Sequence, residues 1–166
     1  MNYLVRFMIT IEVTQKIEAP VAQVSQVLLD HAQLDRFFNA KIILIKAQNN
    51  GELIGGKGAV RQISIGKIVF EEEIISASNE HICYRIIGNW PVSDHQGDIH
   101  LTSQLTPQVT SLDSSTTQLD YIIKFNGPKW LPSILLKFFV GRDINNAMKK
   151  LALHFVARSD STGTCA

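Results

Sequence analysis

The chain has 166 residues, a formal net charge of +1 and 45% hydrophobic residues, the size and balance of one soluble globular domain. Near-neutral charge removes the electrostatic case for nucleic acid or an anionic membrane as the main partner. The two cysteines, Cys83 and Cys165, are too few for a disulfide framework or a cysteine-built metal site, so a reducing, cytoplasmic setting is expected.

The opening MNYLVRFMITIEV resembles neither a signal peptide nor a membrane span. Residues 9–18 then alternate, with Ile9, Ile11, Val13 and Ile17 on one side and Thr10, Glu12, Thr14, Lys16 and Glu18 on the other, which predicts a half-buried strand. Pro20 ends it and opens a helix with apolar positions Val21, Val24, Val27 and Leu28,. A second short helical stretch is expected over 33–38, carrying Leu34, Phe37 and Phe38. Six further strands are predicted at 41–48, 58–65, 67–77, 81–88, 97–105 and 116–126. Their connections NNGELIGG, SNE, NWPVSDHQ and PQVTSLDSS are turn-forming in composition,. No helix-length run separates these strands, so consecutive antiparallel pairing is the economical arrangement.

A long helix is expected over 130–158. After Gly141 its apolar stripe is Ile144, Ala147, Met148, Leu151 and Phe155; before Gly141, Leu135, Leu136, Phe138, Phe139 and Val140 are apolar nearly all round,. Glycine at that junction often marks a kink. Residues 1–158 read as one domain and 159–166 as a small, polar, disordered tail.

Alternation gives each strand one apolar face. Leu119, Tyr121, Ile123 and Phe125 share a side, as do Ile82, Tyr84 and Ile86, and Ile99, Leu101 and Leu105,. One helix about 10 Å wide cannot fill the hollow of a seven-stranded curved sheet, so either large side chains or a cavity must occupy the rest. A cavity beside 141–155 is expected, lined by Tyr84, Ile86, Leu101, Tyr121, Ile123, Ile144, Met148 and Leu151.

Several segments together resemble a known superfamily. They are IEAPVAQVSQVLLDHAQLDRFF, the glycine-rich GELIGGKGAVRQ, FEEEIISASNEHICYRIIGNWPV followed by GDIHLT, and TTQLDYIIKFNGP before the terminal helix. The pattern, over roughly 9–156, is similar to the START/birch-pollen-allergen helix-grip superfamily (SRPBCC), nearest its polyketide cyclase/dehydrase-like branch. The resemblance implies an α+β helix-grip fold: a seven-stranded curved antiparallel sheet around a long C-terminal helix, with two short helices after strand 1. It also implies an apolar ligand held between sheet and helix; some members of the group carry lipids or quinones, and others catalyse cyclisation or dehydration.

The residues themselves hold few enzymatic signatures. There is no P-loop, dinucleotide fingerprint, nucleophile elbow or zinc-spaced cluster, so no cofactor and no metal are expected. His95-x-x-Asp98-x-His100 could suggest a metal, but Asp98 and His100 lie opposite the apolar Ile99 and read as a solvated outer face. Arg61 shares parity with Ile63 and Ile65, and Glu72 with Phe70 and Ile74, so both charges should enter the cavity and meet as an ion pair. Tyr84 and Tyr121 face inward on neighbouring strands and either fill core volume or hydrogen-bond a ligand. Trp90, with Pro91, GELIGG and the segment 130–140, is expected to form the entrance, suited to transient membrane contact.

Carriage of an apolar small molecule by a monomer or weak homodimer is the leading expectation. The alternative is an aromatase/cyclase- or dehydratase-type enzyme in which Arg61, Tyr84 or Tyr121 polarises a carbonyl and Glu72 moves a proton. A protein-binding regulatory or co-chaperone module is the third.

Overall fold

The computed structural model describes residues 8–88, 90, 92–104 and 116–161, the last four as backbone alone. The expectations for the first seven residues, Pro91, Leu105, the turn after it and residues 162–166 lie outside the described residues. In chain order the elements are β1 (Met8–Ile17), α1 (Val21–Leu29), a short 3-10 helix (His31–Arg36), β2 (Lys41–Lys46), β3 (Val60–Ile65), β4 (Ile68–Ala77), β5 (His81–Ile87), β6 (Ser93–Gln104), β7 (Thr116–Asn126) and α2 (Ser133–Ser161).

The strands form one antiparallel sheet in the order β1-β7-β6-β5-β4-β3-β2. Every neighbour from β2 to β7 is also a sequence neighbour, while β1 pairs with β7 across the whole sheet. The two helices after β1 carry the chain from one edge of the sheet to the other. This is the helix-grip arrangement, with α2 lying along β1 and over the concave face.

Alternation along the strands assigns the faces as read. In β7, Leu119, Tyr121, Ile123 and Phe125 are buried and Lys124 is exposed; in β5, Ile82 and Tyr84 are buried and Arg85 is exposed. Ala147, Met148, Leu151 and Phe155 of α2 meet Ile17, Leu34 and Leu119 in one apolar core. Phe37 packs edge-on against His154, with ring centroids 5.5 Å apart, so the chain after the 3-10 helix closes this end against α2.

Boundaries shift where side chains intervene. α2 starts at Ser133 rather than Trp130, because Pro132 supplies the carbonyl that accepts from the Leu135 and Leu136 N–H groups,. Helical hydrogen bonding passes through Gly141 without interruption and reaches Ser161, three residues beyond the expected end. The second short helix is a 3-10 turn two residues earlier than read, with Phe37 and Phe38 bonding back to the Leu34 carbonyl. β6 begins at Ser93, four residues before the expected start, because a β-bulge between Ser93 and Gln96 prolongs its pairing with β7,.

Candidate functional site

A cavity of about 250 Å3 lies between the sheet and the first half of α2. Leu136, Val140, Asp143 and Ile144 of α2 form its roof, Phe38, Asn39 and Ala40 one wall, and the inward residues of β2 to β7 its floor. Most of this lining is apolar, and the polar side chains gather on the floor.

The centre of that group is an ion pair. Arg61 of β3 stands directly opposite Glu72 of β4, and its Nε donates to Glu72 Oε2 at 2.8 Å while Nη2 approaches the same oxygen at 2.7 Å. Period-two alternation puts both side chains on the concave face, where burial would be prohibitive for either alone. Burial works against the Arg61 charge, but Glu72, together with Tyr84 and Tyr121, offsets it and holds the guanidinium pKa above its ordinary value. On its far side Arg61 Nη1 lies 3.5 Å from Nδ1 of the buried His31. His31 Nε2 is 2.7 Å from the Gly55 carbonyl, so Nε2 carries the proton and Nδ1 is left to accept from Arg61. Burial, then the Arg61 charge, depresses the His31 pKa to about 4. Gly55 adopts φ +72°, and a Cβ there would stand 2.0 Å from the Leu29 carbonyl oxygen. The glycine-rich loop thus reaches the ion pair only because this position has no side chain.

Arg61 also stacks over the Tyr84 ring, 5.0 Å from its centroid,. The Tyr84 and Tyr121 hydroxyls hydrogen-bond each other, one donating and one accepting. Burial raises both phenol pKa values, Tyr121 to about 12, so both stay neutral. Gly97 of β6 pairs with Tyr84, and a Cβ on it would fall 2.2 Å from the Tyr84 ring; the absent side chain makes room for the phenol.

His95 completes the floor. The bulge at Ser93–Gln96, with Asp94 at φ 54°, turns its ring inward beside Tyr84 and Phe125,. Its Nδ1 accepts from the Ile86 N–H at 3.2 Å, leaving the proton on Nε2, and burial lowers its pKa. The floor therefore offers neutral donors (a phenol hydroxyl and an imidazole N–H) beside a fixed guanidinium and the Glu72 carboxylate paired with it,.

Of the residues singled out from sequence, Arg61, Ile63, Phe70, Glu72, Tyr84, Ile86, Trp90, Tyr121, Ile123 and Ile144 line the cavity. Leu101, Met148 and Leu151 do not. They are buried in the closed core at the other end of α2, because the second half of the helix packs straight down and leaves no space there. The cavity accordingly sits under residues 136–144 of α2 and overlaps the expected 141–155 only at Asp143 and Ile144. Of the residues expected at the entrance, Trp90 lines the cavity and packs on Phe70 with centroids 5.1 Å apart. Trp130 is three-quarters exposed and GELIGG serves His31, so neither belongs to the lining. His31 was not singled out, His95 was weighed only as part of a metal-like motif, and Leu136 and Val140 only within the expected entrance segment 130–140. His95 shares odd parity with Gly97 and Ile99, a signal that extending the sixth strand backward would have exposed.

No protein-family model matches the sequence, and no curated protein matches it. Solved structures do match. A START superfamily protein from Mycobacterium smegmatis has a TM-score of 0.70 at 13% identity, covering 90% of this chain and 98% of its own. The Zhui aromatase/cyclase from Streptomyces sp. R1128 has a TM-score of 0.66 at 20% identity, covering 96% and 100%. The protein XoxI from Bacillus cereus has a TM-score of 0.64 at 15% identity, covering 89% and 96%. At such identities the likeness is one of fold, and the fold they share is the START-like helix grip.

Proposed function

We propose that the protein binds a compact apolar small molecule bearing an oxygen function, such as a quinone-like or polyketide-like ring or a short lipid. The observation that carries this reading is a cavity of about 250 Å3, apolar over most of its lining, with Arg61, Tyr84, Tyr121, His95 and Glu72 gathered on one wall. An apolar cavity of roughly 150 Å3 takes one benzene ring, so this one suits one or two rings or a short chain. Burial of the apolar part supplies affinity, and the donors orient a carbonyl or phenol oxygen. Residues 1–158 act as one binding domain, as a monomer or weak homodimer in the cytoplasm. The exposed apolar first half of α2 beside the entrance favours transient contact with a membrane during loading.

Native mass spectrometry of the protein as purified tests the reading. A stoichiometric adduct of a few hundred daltons that is lost from a cavity-filling Val140→Trp variant is the expected result. Ligand-free protein that also shows no thermal shift with quinone, polyketide-ring and short-chain lipid panels would count against it.

A second reading draws on the same polar wall. Neutral phenols and an imidazole N–H beside a guanidinium can polarise a carbonyl, and Glu72 can take a proton, as aromatase/cyclase chemistry requires. Glu72→Gln separates the two: a carrier changes in affinity alone, whereas an enzyme keeps binding within about tenfold and loses turnover. A protein-binding module needs no cavity, so that alternative accounts for the site least well.

A further inference from the structure

The convex face of the sheet, opposite the cavity, carries a second constellation. His81 and Cys83 of β5 face His100 and Asp98 of β6 in direct register, His81 against His100 and Cys83 against Asp98. Residues two apart on one strand share a face, and cross-strand partners sit next to each other. The four side chains therefore form a square of metal-ligating types on adjoining strands. His81 Nε2 lies 2.9 Å from Asp98 Oδ1. The His81 and His100 rings stack with centroids 4.4 Å apart and planes 7° from parallel. The ligand atoms of His81, Asp98 and His100 all fall within 4.8 Å of one another.

We propose that His81, Asp98 and His100 bind a divalent transition-metal ion of the Zn2+ type on the outer face of the sheet. Donors at Zn–N and Zn–O bond lengths lie about 3.0–3.6 Å apart around a tetrahedral ion. The His81–Asp98 spacing is already close to that, and a side-chain rotation of His100 brings in the third. The strands are held by β4 on one side and β7 on the other, so the backbone positions are fixed in advance. Gln96 Nε2 donates to Asp98 Oδ2 at 2.7 Å, which leaves Oδ1 for the ion and orients the carboxylate as outer partners of metal ligands do. Two imidazoles and one carboxylate select Zn2+, Co2+ or Ni2+ over the hard ions Mg2+ and Ca2+, which take oxygen sets. A fourth position stays open to water, next to Cys83, the cross-strand partner of Asp98. His95 takes no part, because the bulge sends it to the cavity. His81, the partner that sequence spacing did not suggest, takes its place.

The site lies on the face away from Tyr84 and Ile99, so it can be tested independently of the cavity ligand. The full chain is stripped with chelator and titrated with Co2+, followed by visible absorption, and then with Zn2+ in competition. One Co2+ per chain, displaced by Zn2+, is expected. His81→Ala and Asp98→Ala should each weaken binding by at least about tenfold, while His95→Gln on the other face leaves it unchanged. Zn2+ should raise the melting temperature of the parent and not of His81→Ala, a comparison that holds even where a variant is itself less stable. No saturable binding up to millimolar Co2+, or binding that His81→Ala and Asp98→Ala leave intact, overturns the proposal.

Discussion

Arg61 and Glu72 are the residues at which this fold takes its largest electrostatic risk. Their side chains are 11% and 9% exposed, and a buried charge left without its partner is far costlier than two apolar replacements. Arg61→Met is expected to lower the unfolding free energy by about 3–5 kcal/mol, and the double variant Arg61→Met/Glu72→Leu to recover most of it. Urea unfolding of parent, single and double variants checks this. A double variant as unstable as the single would mean that His31 and the Tyr84 ring, not Glu72, are the contacts that matter to Arg61. His31 brings a pH dependence. Its folded pKa is depressed to about 4, whereas an unfolded histidine titrates near 6.5. As pH falls between these values the unfolded chain takes up a proton that the folded chain refuses, so stability is lost on acidification. The contribution is fully present above about 6.5, and roughly 3 kcal/mol of it is gone by pH 4. His95, also depressed by burial, adds in the same direction. A His31→Gln variant, whose amide can still donate to Gly55 and accept from Arg61, should show a shallower fall in stability between pH 6.5 and 4. An unchanged slope would remove His31 as its source.

Among the elements, α2 divides at Gly141 into two halves with different neighbours. The second half is core: Met148 and Leu151 are fully buried. The first half roofs the cavity with Leu136 and Val140 yet leaves Ile134 and Phe138 at 76% and 62% exposure, with Leu135 and Phe139 also exposed. Lys129, Lys137 and Arg142 share this stretch and no acidic residue precedes Asp143 in it, which suits an interfacial helix. The variant Ile134→Ser/Phe138→Ser should leave the melting temperature within a few degrees. The parent is expected to co-sediment with phosphatidylglycerol vesicles, and the variant to lose that co-sedimentation. Equal sedimentation of the two proteins would place membrane contact elsewhere. The elements were legible in the sequence where one periodicity dominated. The β7 stripe Leu119–Tyr121–Ile123–Phe125 and the facing parity of Arg61 and Glu72 needed only alternation to place them. What stayed hidden depended on irregular backbone or on packing. His95 keeps the parity of Gly97 and Ile99 but lies before the expected start of its strand, in a stretch of turn-like composition. His31 enters through a glycine loop whose partner is distant in sequence. Met148 and Leu151 have the pattern of a lining stripe, and only the depth to which α2 settles on the sheet decides that they close the core instead.

At the scale of the whole molecule, one end of the helix grip is filled and the other is open. Ile17, Leu34, Leu119, Met148 and Leu151 interlock at the closed end, which holds α2 in place without help from a ligand. At the open end the roof is the less buried half of the helix, so ligand binding should order and stabilise that half more than the rest. Any ligand that binds only the folded protein raises its apparent stability, by about 2.7 kcal/mol at a hundredfold excess over its dissociation constant. The two tryptophans report the two regions separately. Trp90 lies on the lining, packed on Phe70, while Trp130 stands outside at 75% exposure. Titration with an apolar quinone or aromatic ketone should therefore quench or shift the emission of Trp90 and leave that of Trp130 unaltered. In Trp90→Phe the fluorescence response should vanish while the thermal stabilisation persists, since phenylalanine keeps the apolar contact. In Trp130→Phe both should survive. A response carried by Trp130 alone would put the ligand on the outer surface of α2 rather than beneath it. The cavity would then be a packing void of the fold and not its binding site.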